Sequence, residues 1–510
     1  MPAQSGRFCG ETEGAVIAMG SDFFERKGVV WFVAALALVL FAVSNLPWHL
    51  DDYDQAKQAF TSFEMVEQGH WFYQHTPNGW VATKPPLVGW ISAGFFALTR
   101  SWDLAWRLPS FLAAGTLLAL LVRSAAFYGP LPALVAACAF SFNLFVPRLA
   151  SLVRTDMPLA LVLFTIGWLI WEKIRKREAW TTRDRLLVFL LLSAGMLIKG
   201  PIVFALLLPG IVAYQWRRRK APDNPSAWSG WSPWLGSSAI FLVWVVVGVL
   251  FVPEFSEHVV QREFAGRFGE ETHRPQPFYF YLPHLLHRLA PWSLLLIALP
   301  VIALRKSQLG IRSALRTISP ETFWLLAWSL GGLLVMSCVP SKRIDRIFPI
   351  VPPLCLLLAA AVGEFRKHGK LNAITDRLCM AAIILACVGT TGYVANRIAV
   401  AHREERDAFA AFGREVVKIA TERGWRYSLV GGDDEGMALY VRRTEFAWPD
   451  EAAADWNAGK LDALVVADDE VAGLLARLQE PRPQRVLSSK RAGRYKKRYH
   501  LLARPSDTST

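Results

Sequence analysis

The chain has 510 residues, of which 53% are hydrophobic and 19% charged, with 21 tryptophans and a formal net charge of +14. So apolar a composition excludes an ordinary soluble enzyme of this length and points to a chain that crosses a membrane repeatedly. The positive charge does not indicate a nucleic-acid partner, because Lys and Arg sit in short clusters between apolar runs, as the positive-inside rule of membrane topology requires.

In chain order, residues 1–27 are polar and read as a cytoplasmic tail, with no small-residue cleavage site after the first apolar run. That run, 28–46, is long enough to cross about 30 Å of hydrocarbon at about 1.5 Å per helical residue. Further apolar runs at 86–99, 108–127, 131–147, 157–171, 186–198, 201–216, 234–252, 292–304, 323–339, 347–363 and 378–395 bring the expected spans to about twelve. The basic stretches 172–185, 217–220, 305–316 and 364–370 are expected in the cytoplasm. The expected transmembrane unit is then 28–397, with outer loops at 48–86 and 253–291 and a short outer turn at 340–346. One inconsistency remains. Counting forward from 48–86 places Arg154 and Asp156 inside, whereas counting back from Glu172 places them outside, so one crossing between Leu87 and Met157 is miscounted; a total of about thirteen would repair it.

Past residue 398 the character changes. A helical pattern at 404–423, β-like runs at 427–430, 438–441 and 462–466, a helical run at 471–479 and closing runs at 485–487 and 499–502 predict a small soluble α/β domain over 398–504 on the outer face. Residues 505–510 read as a disordered tail. The six cysteines form no C-x-x-C pair and four lie in apolar runs, so neither disulfides nor a thiolate zinc site is expected.

The charged residues between spans carry the chemistry. Asp51, Asp52 and Asp54 set three carboxylates just past the first span, where they repel unless a metal, a cation or a substrate proton is shared; a solvated acidic loop is the plain alternative. Lys84 precedes Pro85 and Pro86, which fix the backbone at the membrane surface, so it is either a snorkelling anchor or a point charge facing a phosphate. Arg154 and Asp156 head an apolar span as a helix-capping pair, or as a second carboxylate and guanidinium beside the first cluster. Lys199, in Lys199-Gly200-Pro201, interrupts a long apolar stretch as a turn anchor or a phosphate contact. His273 and Arg274 end a charged loop that leads into the aromatic segment 277–283, a segment suited to the membrane interface; His273 alone is an ordinary loop histidine or a metal ligand. Lys342, Arg343 and Arg346 crowd three cations on the side that the positive-inside rule disfavours, which suggests an anionic lipid phosphate as partner.

Taken together, the early acidic pair, Lys84-Pro85-Pro86, Arg154-Thr155-Asp156, Lys199-Gly200-Pro201, the aromatic run after Gln276 and Ser341-Lys342-Arg343 resemble the integral-membrane type C glycosyltransferases. The likeness is greatest to the aminoarabinose lipid A transferases and the protein O-mannosyltransferases, and it covers residues 28–363. It implies an α-helical polytopic fold of 12–13 spans. It also implies transfer of a sugar from a polyprenyl-phosphate donor to a lipid, glycan or protein acceptor, at the periplasmic face of a bacterial inner membrane. By position it maps the reaction-centre acid to Asp51, with Asp52 in the second acidic place; the need for a carboxylate near the acceptor, read from the chemistry alone, also favours Asp51, with Asp156 second. The cations for the donor phosphate are Lys84, Lys199, Arg274, Lys342, Arg343 and Arg346. A divalent metal is the one cofactor it leaves open, with His273 as ligand. The chain departs from the pattern at Thr83, where relatives carry a glutamate, and at Arg346, where a tyrosine is expected. The competing class is a transporter or lipid flippase, but charges gather at the outer ends of spans and no matching halves are present.

Overall fold

The computed structural model describes residues 27–50, 53–264, 275–307, 313, 317–367, 372–431, 435–491 and 497–505. Asp51, Asp52, His273 and Arg274, the tail 1–26 and the last five residues lie outside the described residues.

Every apolar run is helical, as backbone in hydrocarbon must satisfy its hydrogen bonds locally. The helices are α1 (Lys27–Val43), α2 (Tyr53–Gln68), α3 (Leu87–Thr99), α4 (Trp102–Ala125), α5 (Pro130–Ser141), α6 (Val146–Ala150), α7 (Asp156–Lys176), α8 (Thr182–Lys199), α9 (Ile202–Arg218), α10 (Trp231–Phe251), α11 (Tyr281–Arg288), α12 (Trp292–Ser307), α13 (Pro320–Cys338), α14 (Val351–Lys367) and α15 (Asn372–Arg403). The count of 12–13 spans is not reached on length and apolarity. Among the described residues six helices qualify, and a seventh only if α11 and α12, bent by 100°, form one broken span. The shortfall has a physical cause in α5, twelve residues long and buried along nearly its whole length. A helix enclosed by protein need not match the bilayer thickness.

The inconsistency between Leu87 and Met157 is resolved by α3, which lies along α2. At one end the Gly89 position faces Met65 of α2 and Gln74, and at the other Phe96 stacks on Trp102 at 3.9 Å while Trp102 meets Phe63 of α2 at 5.7 Å. The start of α4 returns to the same level, where Trp106 Nε1 donates to Ser62 Oγ at 3.0 Å. With both ends of α3 at α2, only α4 and α5 separate α2 from α7, and Arg154 comes back to the face it started from. Removing a crossing, not adding one, makes the count even.

The segment 48–86 is more ordered than a loop. Ala56, Ala59, Phe60 and Phe63 recur at helical spacing and are buried, while Asp54 and Lys57 lie on another face and Glu67 continues the apolar stripe only at the exposed helix end. A two-stranded hairpin follows, β1 (His75–Thr76) against β2 (Trp80–Val81). The segment 253–291 likewise holds helical turns at Ser256–Phe264 and α11. Elsewhere small residues let spans approach closely: a Cβ at Gly210 of α9 would stand 2.6 Å from the Trp328 backbone of α13.

Beyond α15, which continues unbroken through residue 397, the chain forms α16 (Ala408–Arg423), β3 (Tyr427–Val430), α17 (Glu435–Tyr440), α18 (Pro449–Asn457), β4 (Ala463–Ala467), α19 (Val471–Leu475), β5 (Gln484–Ser488) and β6 (Tyr499–Ala503). The sheet runs β3-β4-β6-β5, with β3 and β4 parallel and the other pairs antiparallel. Residues 438–441, read as β-like, are mostly in α17; a four-residue apolar run does not separate strand from buried helix. This sheet shares one hydrophobic core with α2: Leu50, Phe60, Phe63 and Trp106 pack in the same cluster as Phe412, Met437, Leu439 and Val465.

Candidate active site

The helices α7 and α8 are antiparallel neighbours joined at Arg177–Thr181, so the start of α7 and the end of α8 meet. There Lys199 Nζ lies 2.5 Å from Asp156 Oδ1, and both side chains are largely buried. Each sits at the helix end whose dipole favours its charge, a carboxylate at an N-terminus and an ammonium at a C-terminus. Gly200, at a φ of 70° that only glycine adopts without strain, then turns the chain into α9.

Around this pair the structure gathers residues from four distant segments. Arg154, 8% exposed, bonds Asp345 and stands 3.4 Å from Asp54 Oδ2. Asp54 in turn receives the fork of Arg343, with Nη1 at 3.3 Å from Oδ1 and Nη2 in contact with Oδ2. Lys84 is close enough to act electrostatically on both Asp54 and Asp156. Burial pushes the Asp54 carboxyl up, but the Arg343 hydrogen bond and the charges of Lys84, Arg343 and Arg154 outweigh it and hold the carboxyl at about 2. Four cations, Lys84, Arg154, Lys199 and Arg343, thus face three carboxylates, Asp54, Asp156 and Asp345. Among the described residues the cluster therefore carries one more positive than negative charge, which favours an anion as its partner.

Of the residues singled out from the sequence, Asp54, Lys84, Arg154, Asp156, Lys199 and Arg343 come together here. Lys342 and Arg346 lie on the same turn, with Lys342 Nζ donating to the Gln276 carbonyl at 2.9 Å and Arg346 Nη1 to the Ser341 carbonyl at 2.7 Å. Asp51, Asp52, His273 and Arg274 fall outside the described residues, so the acid of the first loop that the structure brings to the cluster is Asp54. Two members were under-read: Arg154, whose bland reading was a local pair with Asp156, and Asp345, hidden in the basic run 342–346. The far end of the α7–α8 pair holds a different feature, a cavity of about 440 Å3 lined by Arg123, Lys173, Glu178 and Asp184.

At the place the resemblance implies for a metal, Thr83 offers a hydroxyl where relatives carry a carboxylate, and His273 lies outside the described residues. A separate group stands further along α2. Glu64, His70 and His75 hold ligand-type atoms within 4.8 Å of one another. Burial pushes the Glu64 carboxyl up, and burial together with the His70 charge lowers His75 to about 4.

Comparison with known proteins places these features in context. Residues 83–255 match the sequence profile of the dolichyl-phosphate-mannose-protein mannosyltransferases. An undecaprenyl phosphate-alpha-4-amino-4-deoxy-L-arabinose arabinosyl transferase of Edwardsiella ictaluri is 27% identical over 392 residues, 72% of this chain and 67% of that protein. A protein of the same name from Aeromonas salmonicida is 29% identical over 353 residues, 65% of this chain and 61% of that one. The chain therefore spans about two thirds of the length of the curated relatives it matches. Among solved structures, ArnT from Cupriavidus metallidurans bound to undecaprenyl phosphate superposes with a TM-score of 0.71 at 16% identity, covering 95% of this chain and 99% of that one. The apo oligosaccharyltransferase of Archaeoglobus fulgidus superposes with a TM-score of 0.51 at 12% identity, covering 88% and 71%.

Proposed function

We propose that this chain, a polytopic membrane protein with the type C glycosyltransferase fold, transfers a sugar from a polyprenyl-phosphate donor to an acceptor on the outer face of a bacterial inner membrane. The observation that carries the reading is the convergence of Asp54, Lys84, Arg154, Asp156, Lys199 and Arg343, drawn from segments far apart in sequence, on one end of the helix bundle. The names of the similar proteins favour an amino-pentose donor, and a lipid A-like acceptor fits best. Orientation follows from charge: the basic stretch 172–185 lies at the opposite end of the α7–α8 pair, and keeping it in the cytoplasm puts the cluster, the outer loops 48–86 and 253–291 and the sheet over 398–504 in the periplasm.

In the reaction the acceptor oxygen bonds to the anomeric carbon as the bond from that carbon to the phosphate oxygen breaks, and the polyprenyl phosphate leaves with the electron pair. Charge grows on the departing phosphate, so fixed cations lower the barrier. Arg343 and Arg154 are held by carboxylates in the resting protein. A donor phosphate competing for their N–H groups loosens the hold on Asp54, whose basicity then rises toward that of an ordinary carboxylate. Asp54, with Asp51 and Asp52 beside it in sequence, takes the proton of a hydroxyl acceptor, or orients the acceptor when it is itself a phosphate. Lys84 and Lys199 complete the phosphate cradle, with Lys342, Arg346 and Arg274 at its edge. A transporter or flippase finds no support, since the charges lie at span ends and not at matched midplane breaks.

The test is mass spectrometry of envelope glycolipids from cells carrying the intact chain, Asp51→Asn, Asp54→Asn or Lys84→Ala, with membrane insertion checked for each. Loss of a glycolipid one sugar heavier is expected for Lys84→Ala and for at least one aspartate variant, and which aspartate identifies the acid. Normal glycolipid in all three variants refutes the site.

A further inference from the structure

We propose that Glu64, His70 and His75 form a binding site for one divalent transition-metal cation of the zinc type, and that the ion fixes the hairpin leading to Lys84. The three residues lie outside the ionic cluster, and the site stands whether or not the transferase reading does.

The local fold builds the site from a short piece of chain. Glu64 is in the last turns of α2, the chain leaves the helix through Gly69 at a φ of 80°, and His70 is thereby turned back onto the carboxylate. Strand β1 then delivers His75 from the other side. His70 Nδ1 contacts Glu64 Oε1, His75 Nδ1 is 3.8 Å from the same oxygen, and the two imidazole rings are 4.3 Å apart between centroids.

Two of these groups point to a missing ligand. Glu64 is only 3% exposed, and its Oε2 has no hydrogen-bond partner. The buried Nδ1 of His75 also has none. His70 holds one oxygen of the Glu64 carboxylate, but the other oxygen and the imidazole nitrogen of His75 are buried without partners, which is costly, and one cation between them satisfies both together. The spacing suits the ion: tetrahedral N and O ligands at about 2.0–2.1 Å from zinc are about 3.3 Å apart, a small adjustment from the distances here. Two imidazoles disfavour magnesium and calcium, which prefer oxygen. His70 is half exposed, with 49% of its side chain accessible, so water can reach the fourth position.

The consequence lies in the hairpin. His75 pairs with Val81 across it, three residues before Lys84, and Ala82 N donates to the Gln74 carbonyl at 2.7 Å. At the hairpin tip Asn78 exchanges hydrogen bonds with Phe446, its Oδ1 accepting from Phe446 N at 2.9 Å and its Nδ2 donating to the Phe446 carbonyl at 3.0 Å. The tip is therefore held by the C-terminal sheet region and the base by α2, with the ion as the base clamp.

The experiment uses full-length, tag-free protein in detergent, stripped with chelator, re-equilibrated with Zn2+ and assayed for bound metal by elemental mass spectrometry. Wild type and His273→Ala are expected to retain one equivalent, while His70→Ala and His75→Ala bind at least about tenfold more weakly. Half-exposed His70 makes His70→Ala the variant least prone to misfold, and a monodisperse elution profile checks each one. Co2+ in place of Zn2+ should give a tetrahedral visible spectrum in wild type that His70→Ala lacks. Failure of wild type to bind Zn2+, equal binding by His70→Ala and His75→Ala, or loss confined to His273→Ala overturns the proposal.

Discussion

At the scale of single residues, the ionic cluster is held by pairs that sequence proximity does not suggest. Arg154 and Asp345 are 191 positions apart, and Asp54 and Arg343 are 289 apart. Arg154 was legible as a charge at a span end but not as the link between the first loop and the 341–346 turn, because its partners depend on helix packing. The Asp156–Lys199 pair makes a prediction about stability. Lys199→Ala removes the hydrogen-bonded partner of a buried carboxylate, leaving it only the charges of Arg154 and Lys84, and should cost up to about 3–5 kcal/mol, whereas Lys199→Ala with Asp156→Ala should recover most of that loss. Thermal unfolding of the two variants in detergent checks the order. Asp54 makes a prediction about pH. Its carboxyl is depressed from 3.8 to about 2, so the stability it contributes is fully present above about pH 4 and is lost as pH falls toward 2. That contribution is at most about 2 kcal/mol. Asp54→Asn should therefore be less stable than wild type at pH 5 and above, and the gap between the two should close between about pH 4 and 2. A gap that is constant across this range contradicts the pairing.

At the scale of elements, the apolar runs were readable because hydrocarbon leaves the backbone little choice but helix. Their number as spans was not, since α3 is as apolar as a span but has only 13 residues and lies against α2. Nor was α2 itself, whose Ala56, Ala59, Phe60 and Phe63 were masked by charged neighbours in a stretch taken for a loop. The metal-type triad was equally hidden: Glu64, His70 and His75 fit no regular spacing, because a helix end and a hairpin assemble them. The contact of α2 with the C-terminal sheet region leads to a further expectation. Tyr440 of α17 accepts a hydrogen bond from the Leu50 backbone N–H at 2.7 Å, immediately before Asp51. Tyr440→Phe removes the acceptor and should cost about 1 kcal/mol of stability. If the C-terminal region sets the position of the acidic loop, the same variant lowers the turnover rate several-fold while leaving the KM for the donor lipid nearly unchanged. An unchanged turnover rate would mean that the sheet region only covers the core.

At the scale of the whole molecule, charge and geometry agree on two ends. One carries the basic connections, among them 172–185; the other carries the first loop, the Asp156–Lys199 pair, the 341–346 turn and the C-terminal sheet region packed over α2. An amphiphilic phosphate donor entering from the membrane would meet the second end with its lipid tail still in hydrocarbon. The decisive measurement uses the purified chain in liposomes, supplied with an undecaprenyl-phosphate-linked amino-pentose and a lipid A acceptor, with both products followed by mass spectrometry. Free undecaprenyl phosphate and sugar-bearing acceptor are expected in equal amounts, and Lys84→Ala is expected to abolish both. An intact donor and an unmodified acceptor after prolonged incubation with folded wild-type protein would contradict the proposed transfer.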